Sequence, residues 1–164
     1  MSALVTSISV QRVQAALLAH GLSDRIVELA ATARTAEDAA QACGVAVGAI
    51  VKSLVFEIEG EPVLALLAGD RRCDLGTLPS VLGRTGKARR CDADKVRAAT
   101  GFAIGGVAPI GHLQPMPTAI DSSLARFERL FAAAGHPHCV FATTVPEIEA
   151  LTGGTVSALI ATTG

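Results

Sequence analysis

The chain has 164 residues, of which half are apolar, and its formal net charge is −1. This length predicts one domain over residues 1–164, with ample material for a core. The charge is nearly balanced and the only aromatic residues are five Phe, which argues against a strongly basic surface or a base-stacking platform for nucleic acid. Any contact with RNA is therefore expected to be local, and no DNA partner is expected.

The sequence also indicates the cellular compartment in which the protein is expected to function. No apolar stretch is long enough to span a bilayer, and residues 1–7 lack the basic start and apolar core of a signal peptide. The four cysteines are scattered and form no C-x-x-C pair, which is typical of free thiols in a reducing compartment. We therefore expect a cytoplasmic protein without membrane contact.

Apolar spacing, capping residues and glycine stops define the predicted elements. In chain order, the predicted helices cover 9–20, 35–44, 74–82, 92–101 and 146–151. The predicted strands cover 25–29, 49–58, 63–68, 87–91, 118–120, 129–133, 139–143 and 156–160. Helices and hairpins alternate without a repeat or a linker, which predicts an α+β (mixed α/β) fold with a curved mixed sheet flanked by helices.

Lys52 lies within the apolar strand Ala49–Phe56. If side chains alternate, it shares a face with Ile50 and Leu54 and points toward the interior or a cavity. A buried ammonium then needs a polar partner or ligand. The alternative is a lysine that extends from a sheet edge into solvent.

Residues 101–112 contain four glycines and a proline, carry no charged Asp, Glu, Lys or Arg, and end at His112. Glycine allows backbone to approach a ligand closely, and Pro109 would stiffen the segment. A shaped loop that directs the amides of Gly105, Gly106 and Val107 at a small ligand is one interpretation. A tight connection between buried elements, with His112 as a structural residue, is the other.

Two further segments carry polar groups. Asp121 follows an apolar triplet and precedes two serines, which favours a helix N-cap over a direct role. Gly135-His136-Pro137-His138 is a turn whose imidazoles lie two residues apart, so both face one side of an extended segment. Which of the two histidines enters a site is left open by the sequence.

These segments together resemble the YbaK family, the free-standing relatives of the editing domain inserted in bacterial prolyl-tRNA synthetases. The resemblance extends from about Ala36 to Ile160 and rests on the ordered segments 51–56, 101–112, 120–124, 134–138 and 149–154. It implies a barrel-like mixed sheet surrounded by helices. It also implies a pocket in which Lys52 meets the phosphate of the terminal tRNA nucleotide, with the glycine loop, Asp121 and the turn at Gly135, His136 and His138 nearby.

No metal or cofactor is expected. His112, His136, His138 and Cys139 do not follow a common zinc spacing. No serine lies in a G-x-S-x-G elbow, and Cys139 is flanked by apolar residues of a predicted core strand.

The resemblance implies a trans-acting deacylase that binds the 3′ acceptor end of aminoacyl-tRNA and removes a small amino acid such as Ala or Cys from tRNA(Pro). Prolyl-tRNA synthetase is a candidate partner. On this hypothesis the catalytic set is Lys52, Gly105, Gly106 and His112, and the substrate-binding set is Lys52, Val107, Pro109, Asp121, Gly135, His136 and His138. A non-catalytic module that binds aminoacyl or nucleotide groups is the alternative, because no general base is evident; hydrolysis of a small ester unrelated to tRNA is a third possibility.

Overall fold

The structure is a computed structural model that describes residues 7–22 and 25–163. Most of the N-terminal segment that contributed to the expected cytoplasmic location lies outside these described residues.

The helices are α1 (Ile8–Ala19), α2 (Ala36–Cys43), α3 (Leu78–Val81), α4 (Ala93–Thr100) and α5 (Val145–Thr152). Two of the five helices in the described ranges, α2 and α4, begin and end at the capping residues that the sequence predicts. The side chains of Thr35 and Asp92 accept backbone N–H groups at the starts of α2 and α4. Gly44 and Gly101 end the same helices in the left-handed region, at φ of 70° and 80°. None of the helices in the described ranges has the length and apolar character required to cross a membrane.

The strands are β1 (Ile26–Glu28), β2 (Ile50–Ile58), β3 (Glu61–Ala68), β4 (Arg71–Cys73), β5 (Ala88–Arg90), β6 (Thr118–Asp121), β7 (Leu130–His136), β8 (Cys139–Thr143), β9 (Thr155–Ser157) and β10 (Ala161–Thr163). Eight of them form a mixed sheet in the order β1-β8-β7-β2-β3-β6-β9, with β5 also paired to β2. The remaining two, β4 and β10, pair with each other.

The two faces of the β2–β3 hairpin pack on different cores. Val51 and Val55 belong to a large cluster that includes Val10, Val13 and Leu17 of α1. On the opposite face, residues of β2 and β3 pack in a second cluster with α3 and the chain segment before β10; this cluster contains Phe56, Ile58, Val63, Ala65, Leu67, Leu78, Ala119 and Ile160. Strand alternation therefore divides β2 into two apolar faces, as expected of a strand buried on both sides.

Two predicted elements are wrong in extent. Asp74 does not cap a helix over 74–82; its carboxylate accepts the N–H of Gly76 in a local turn, and the four-residue α3 begins later, after Thr77. The predicted strand 156–160 ends at Ser157, where β9 ends; residues 158–160 form a bend, and the separate strand β10 follows. The first difference arises from a local turn, and the second from the pairing of β9 with β6 and of β10 with β4, partners that lie far away in the chain.

Candidate active site

A cavity of about 870 Å³ opens beside the centre of β2. Its inner wall consists of small apolar side chains from the large cluster, namely Val51, Val55, Val96, Val107, Ala132 and Cys139. Exposed residues from the glycine loop, β4, β5 and the segment before α2 surround it, namely Ile104, Leu75, Arg72, Arg90 and Arg34. The cavity thus combines an apolar interior with a polar rim, the usual arrangement of a small-ligand site.

The cavity lies where the sheet divides. One edge of β2 pairs with β3 along the length of the strand, whereas the other pairs with β7 only at Ile50 and Val51 and with β5 only from Phe56. Residues 52–55 therefore have an edge without a partner strand. We call this stretch the open edge.

The hydrogen-bond register shows which backbone groups face the open edge. Gly69 N–H donates to the Ile50 carbonyl at 2.8 Å, so residues 52 and 54 also direct their backbone groups toward β3. The backbone groups of Ser53 and Val55 consequently point away from β3, into the gap. The Ser53 hydroxyl is buried and has no hydrogen-bond partner within the described part of the chain. The open edge is thus a strip of uncommitted donors and acceptors in the cavity wall.

Lys52 lines this cavity and is half-buried. It lies on the strand face of Ile50 and Leu54, and its ammonium donates to the backbone carbonyl of Arg71 in β4. A carbonyl is a neutral partner, and no carboxylate within hydrogen-bonding range compensates this charge among the described residues. The cation therefore retains the capacity to bind an anionic ligand.

The first half of the glycine loop faces the cavity. Ile104, Gly105 and Val107 line it, and Gly105 has φ of 95° with open space where a Cβ would lie. Gly106 does not line it: its amide donates to the Ala103 carbonyl at 3.0 Å, and a Cβ here would lie 3.3 Å from the backbone of His136. The amides of Gly105 and Val107 make no hydrogen bond within the described residues, whereas Gly106 provides close packing.

The second half of the loop packs on the far side, against α1. Pro109 is buried outside the cavity wall, and His112 also lies outside it. The His112 Nε2 lies 2.7 Å from the Ala108 carbonyl, and its ring meets Phe102 edge-on at 5.9 Å. Burial holds the pKa of His112 below its usual value, which favours the neutral ring. These contacts brace the loop.

The two candidate histidines lie at the turn of the β7–β8 hairpin, His136 as the last residue of β7 and His138 in the turn itself. The register shifts between Ala133 and His136, where Gly135 has φ of 93°. Gly135 itself is buried outside the cavity wall, and a Cβ there would lie 2.8 Å from the carbonyl oxygen of Ser9. His136 lines the cavity, whereas His138 lies outside it with its Nε2 2.5 Å from the Thr32 hydroxyl.

The protonation of His136 follows from its surroundings. Its Nδ1 accepts the backbone N–H of His138 at 3.1 Å, so the neutral ring carries its proton on Nε2. Burial, and secondly the adjacent His138, keep the pKa of His136 below its usual value. His136 is therefore a neutral donor in the cavity wall at pH 7.

Asp121 lies outside the cavity wall, where β6 ends. Its buried carboxylate accepts the N–H of Ala68 at 3.0 Å, the N–H of Ser123 at 2.9 Å and the Ser123 hydroxyl at 2.8 Å. It makes no hydrogen bond or ion pair to Lys52. Asp121 joins β3 to the turn that follows β6 and acts as a cap, the alternative that the sequence favoured.

Three cysteine thiols line the cavity, and all are protonated at neutral pH. Burial raises the pKa of Cys73 to about 11, and it also raises the pKa of Cys91 and of Cys139. Because the thiolate is the nucleophilic form, the three side chains act as apolar wall. Among the described residues, no group of three or more His, Cys, Asp and Glu side chains is arranged to hold a metal ion.

The sequence analysis missed the rim cations. Arg34, Arg72 and Arg90 come from three separate segments, and with Lys52 they place four positive charges around a cavity that no Asp or Glu of residues 7–22 and 25–163 lines. A local signal for two of them exists in the pairs Arg71-Arg72 and Arg89-Arg90, each on a short strand. Their convergence depends on the fold.

Comparison with known proteins identifies the relatives of this architecture. Residues 30–151 match the family described as the aminoacyl-tRNA editing domain. A crystal structure of a proposed trans-editing enzyme for prolyl-tRNA synthetase superposes with a TM-score of 0.85 at 45% identity, covering 92% of this chain and 96% of that one. This neighbour has the fold that the sequence resemblance implied, so the predicted fold class is confirmed.

Curated relatives point the same way. YwhH of Bacillus subtilis is 34% identical over 125 residues, which are 76% of this chain and 78% of YwhH. EbsC of Enterococcus faecalis, described as a proposed Cys-tRNA(Pro)/Cys-tRNA(Cys) deacylase, is 29% identical over 62% of each chain. A proline–tRNA ligase of Nitratidesulfovibrio vulgaris is 35% identical over 79 residues, which are 48% of this chain and 14% of the ligase. The chain belongs to the aminoacyl-tRNA editing domain family.

Proposed function

We propose that this protein is a trans-acting deacylase that hydrolyses the ester of a mischarged aminoacyl-tRNA, with a small amino acid on tRNA(Pro) as its substrate. The observation that carries the proposal is the cavity beside β2, whose lining includes a cation with a neutral carbonyl as its partner, two amides without a hydrogen bond among the described residues, and a neutral imidazole. Residues 1–164 then act as one editing domain in the cytoplasm, the compartment of its substrate.

Each group has a role in this proposal. Lys52 binds a phosphate of the terminal nucleotide as a point charge. The small apolar residues of the inner wall surround the amino-acid side chain. His136 donates from Nε2 to the substrate, and the open edge supplies backbone donors and acceptors for the ammonium and ribose groups.

The chemistry needs no protein nucleophile. A water oxygen bonds to the ester carbonyl carbon, the bond to the ribose oxygen breaks, and the ribose oxygen takes a proton, which yields free amino acid and tRNA. The amides of Gly105 and Val107 are suited to stabilising the negative charge that develops on the carbonyl oxygen. An ester is already activated, so positioning a water molecule and stabilising this charge accelerate the reaction. The protonated thiols of the cavity wall agree with this route.

The test is deacylation of Ala-, Cys- and Ser-charged tRNA(Pro) by the purified protein. We expect one of the three to be hydrolysed faster than correctly charged Pro-tRNA(Pro). The free ethyl esters of the same amino acids are the comparison, because a general esterase would hydrolyse them equally well. Saturable binding of aminoacyl-tRNA without hydrolysis would instead establish the binding module and refute the deacylase.

A further inference from the structure

Three arginines at the rim of the cavity have no ion-pair partner among the described residues. Arg34, Arg72 and Arg90 are exposed, and none of the ion pairs or side-chain hydrogen bonds within the described residues involves their guanidinium groups. Elsewhere on the described surface some cations are paired, as Arg84 is with Glu61 at 2.9 Å, and others such as Lys87 and Arg97 are not. The rim arginines differ from these in that all three line one cavity.

The distribution of charge makes this more specific. The chain carries 15 acidic and 14 basic residues, so a random surface region holds both signs. Among the described residues, the lining of the cavity has four of the basic ones, Arg34, Lys52, Arg72 and Arg90, and none of the acidic ones. A concave site of one sign concentrates the field at its mouth and attracts an anion of matching shape.

The three arginines come from three separate segments of the chain that line the cavity. Arg34 precedes α2, Arg72 is the central residue of β4 and Arg90 ends β5. β4 is also the strand whose Arg71 carbonyl accepts the Lys52 ammonium, so this strand connects the interior cation to the rim. Anionic groups at successive positions along a chain would meet Lys52 inside the cavity and the guanidinium groups outside it.

We propose that Arg34, Arg72 and Arg90 form a phosphate-binding rim for the single-stranded RNA that leads into the cavity. This inference rests on the proposed function and names the surface that holds the nucleic acid. Guanidinium groups bind phosphate through paired hydrogen bonds, and such contacts position a strand without reading its sequence. The rim also explains how a protein of net charge −1 and few aromatics binds RNA: its cations are gathered at one place. An acidic protein surface is a less suitable occupant, because the cations surround a cavity of about 870 Å³ that receives a chain end.

The experiment compares two triple variants of equal charge. The rim variant carries Arg34→Gln, Arg72→Gln and Arg90→Gln. The control carries Arg84→Gln, Lys87→Gln and Arg97→Gln, three exposed cations that do not line the cavity. Affinity is measured for an uncharged RNA hairpin with a single-stranded CCA 3′ end, over a series of salt concentrations.

We expect the rim variant to bind this RNA at least about tenfold more weakly at low salt. Its plot of log affinity against log salt should be less steep by about 2, since each lost phosphate contact on a single strand removes about 0.7 from the slope. The control variant should retain the affinity and slope of the unmodified protein.

Equal losses of RNA affinity in the two variants would mean that the effect depends only on net charge, and this result would refute the proposed phosphate-binding rim. Unchanged RNA affinity in the rim variant would also overturn it. A rim variant that keeps its RNA affinity and loses only its binding to prolyl-tRNA synthetase would do the same, because the arginines would then contact a protein. The proposed function fails differently, because the unmodified protein would then hydrolyse no aminoacyl-tRNA although its RNA affinity could still be measured.

Discussion

The two halves of the glycine loop differ in how their polar groups are used. In the half that faces the cavity, the amides of Gly105 and Val107 have no partner among the described residues, and Lys52 nearby has only a backbone carbonyl. In the half that faces α1, His112 lies within hydrogen-bonding distance of Ala108, and Arg12 donates to the Gly111 carbonyl at 3.2 Å.

This difference allows effects on turnover to be separated from effects on stability within one segment. Gly105 is exposed, so its amide is open to water or to a ligand in the cavity, and the Lys52 ammonium has a neutral carbonyl as its hydrogen-bond partner. On the α1 side, His112 and the Gly111 carbonyl have partners within the protein, so no ligand is needed to account for them. We call the half that faces the cavity, together with Lys52, the cavity side and the half that faces α1 the braced side. We therefore expect changes on the cavity side to reduce turnover, and changes on the braced side to reduce the free energy of unfolding.

The largest expected effect is on the cavity side, at Lys52. Lys52→Ala removes a cation that has no carboxylate to compensate it, so we expect deacylation to fall by about 10- to 100-fold, the range for a hydrogen bond to a charged group. The melting temperature should change little. Lys87→Ala is the matched control, since Lys87 is exposed and outside the cavity. A Lys52→Ala protein with full activity on aminoacyl-tRNA would end the assignment of Lys52 to the site.

The next effect is on stability, at Asp121, which lies outside the cavity wall at the end of β6. Asp121→Ala leaves the Ala68 N–H and the Ser123 groups without their acceptor in a buried position, and we expect a loss of about 2–3 kcal/mol in the free energy of unfolding. Urea denaturation measures it. Activity per folded molecule should remain close to that of the unmodified protein. A fall in turnover at a temperature where the variant is fully folded would place Asp121 in the site after all.

Much of the fold was predictable because its signals are local. Thr35 with Gly44, and Asp92 with Gly101, define two helices through side-chain caps and left-handed glycines, which need no distant partner. The hairpin of β2 and β3 follows from two apolar runs joined at Glu59 and Gly60. The pairing of β4 with β10 joins residues about 90 positions apart, and no local pattern encodes it.

The candidate site divides in the same way. Lys52 was predictable from its place in an apolar strand, because strand alternation fixes the face. The choice between His136 and His138 was not, because the hairpin turn begins directly after His136, so the two residues do not continue one extended segment as the sequence suggests. The rim arginines were missed because each is an ordinary exposed residue in its own segment, and only the fold brings them to one cavity.

A smaller effect on turnover is expected from a glycine pair. Gly105→Ala and Gly60→Ala both place a side chain at positive φ, 95° and 82°, and in both cases a Cβ has open space. The strain, about 1 kcal/mol for each, should therefore be similar. Only Gly105 lies in the cavity wall, so only this variant should lose deacylation, by about tenfold, as its amide is displaced. Rates are compared where both variants are fully folded, and equal rates would make the loop a structural connection.

The smallest expected effect is a pH dependence of stability that arises on the braced side. Burial keeps the folded-state pKa of His112 below the ordinary value of 6.5, so between these two values the unfolded chain binds more protons than the folded one. Stability is therefore fully present above pH 6.5 and falls as the pH drops through the folded-state pKa. His136, whose pKa is also lowered, adds a contribution of the same sign.

His112→Gln removes one of these two contributions, so the decrease in the free energy of unfolding from pH 7.5 to pH 5 should be smaller in this variant than in the unmodified protein. The comparison uses the change with pH in each protein, which cancels the loss of the ring contacts with Phe102. An identical decrease in the two proteins would mean that His112 is protonated as easily in the folded state as in the unfolded one. The contacts of this half of the loop would then not depend on a neutral imidazole.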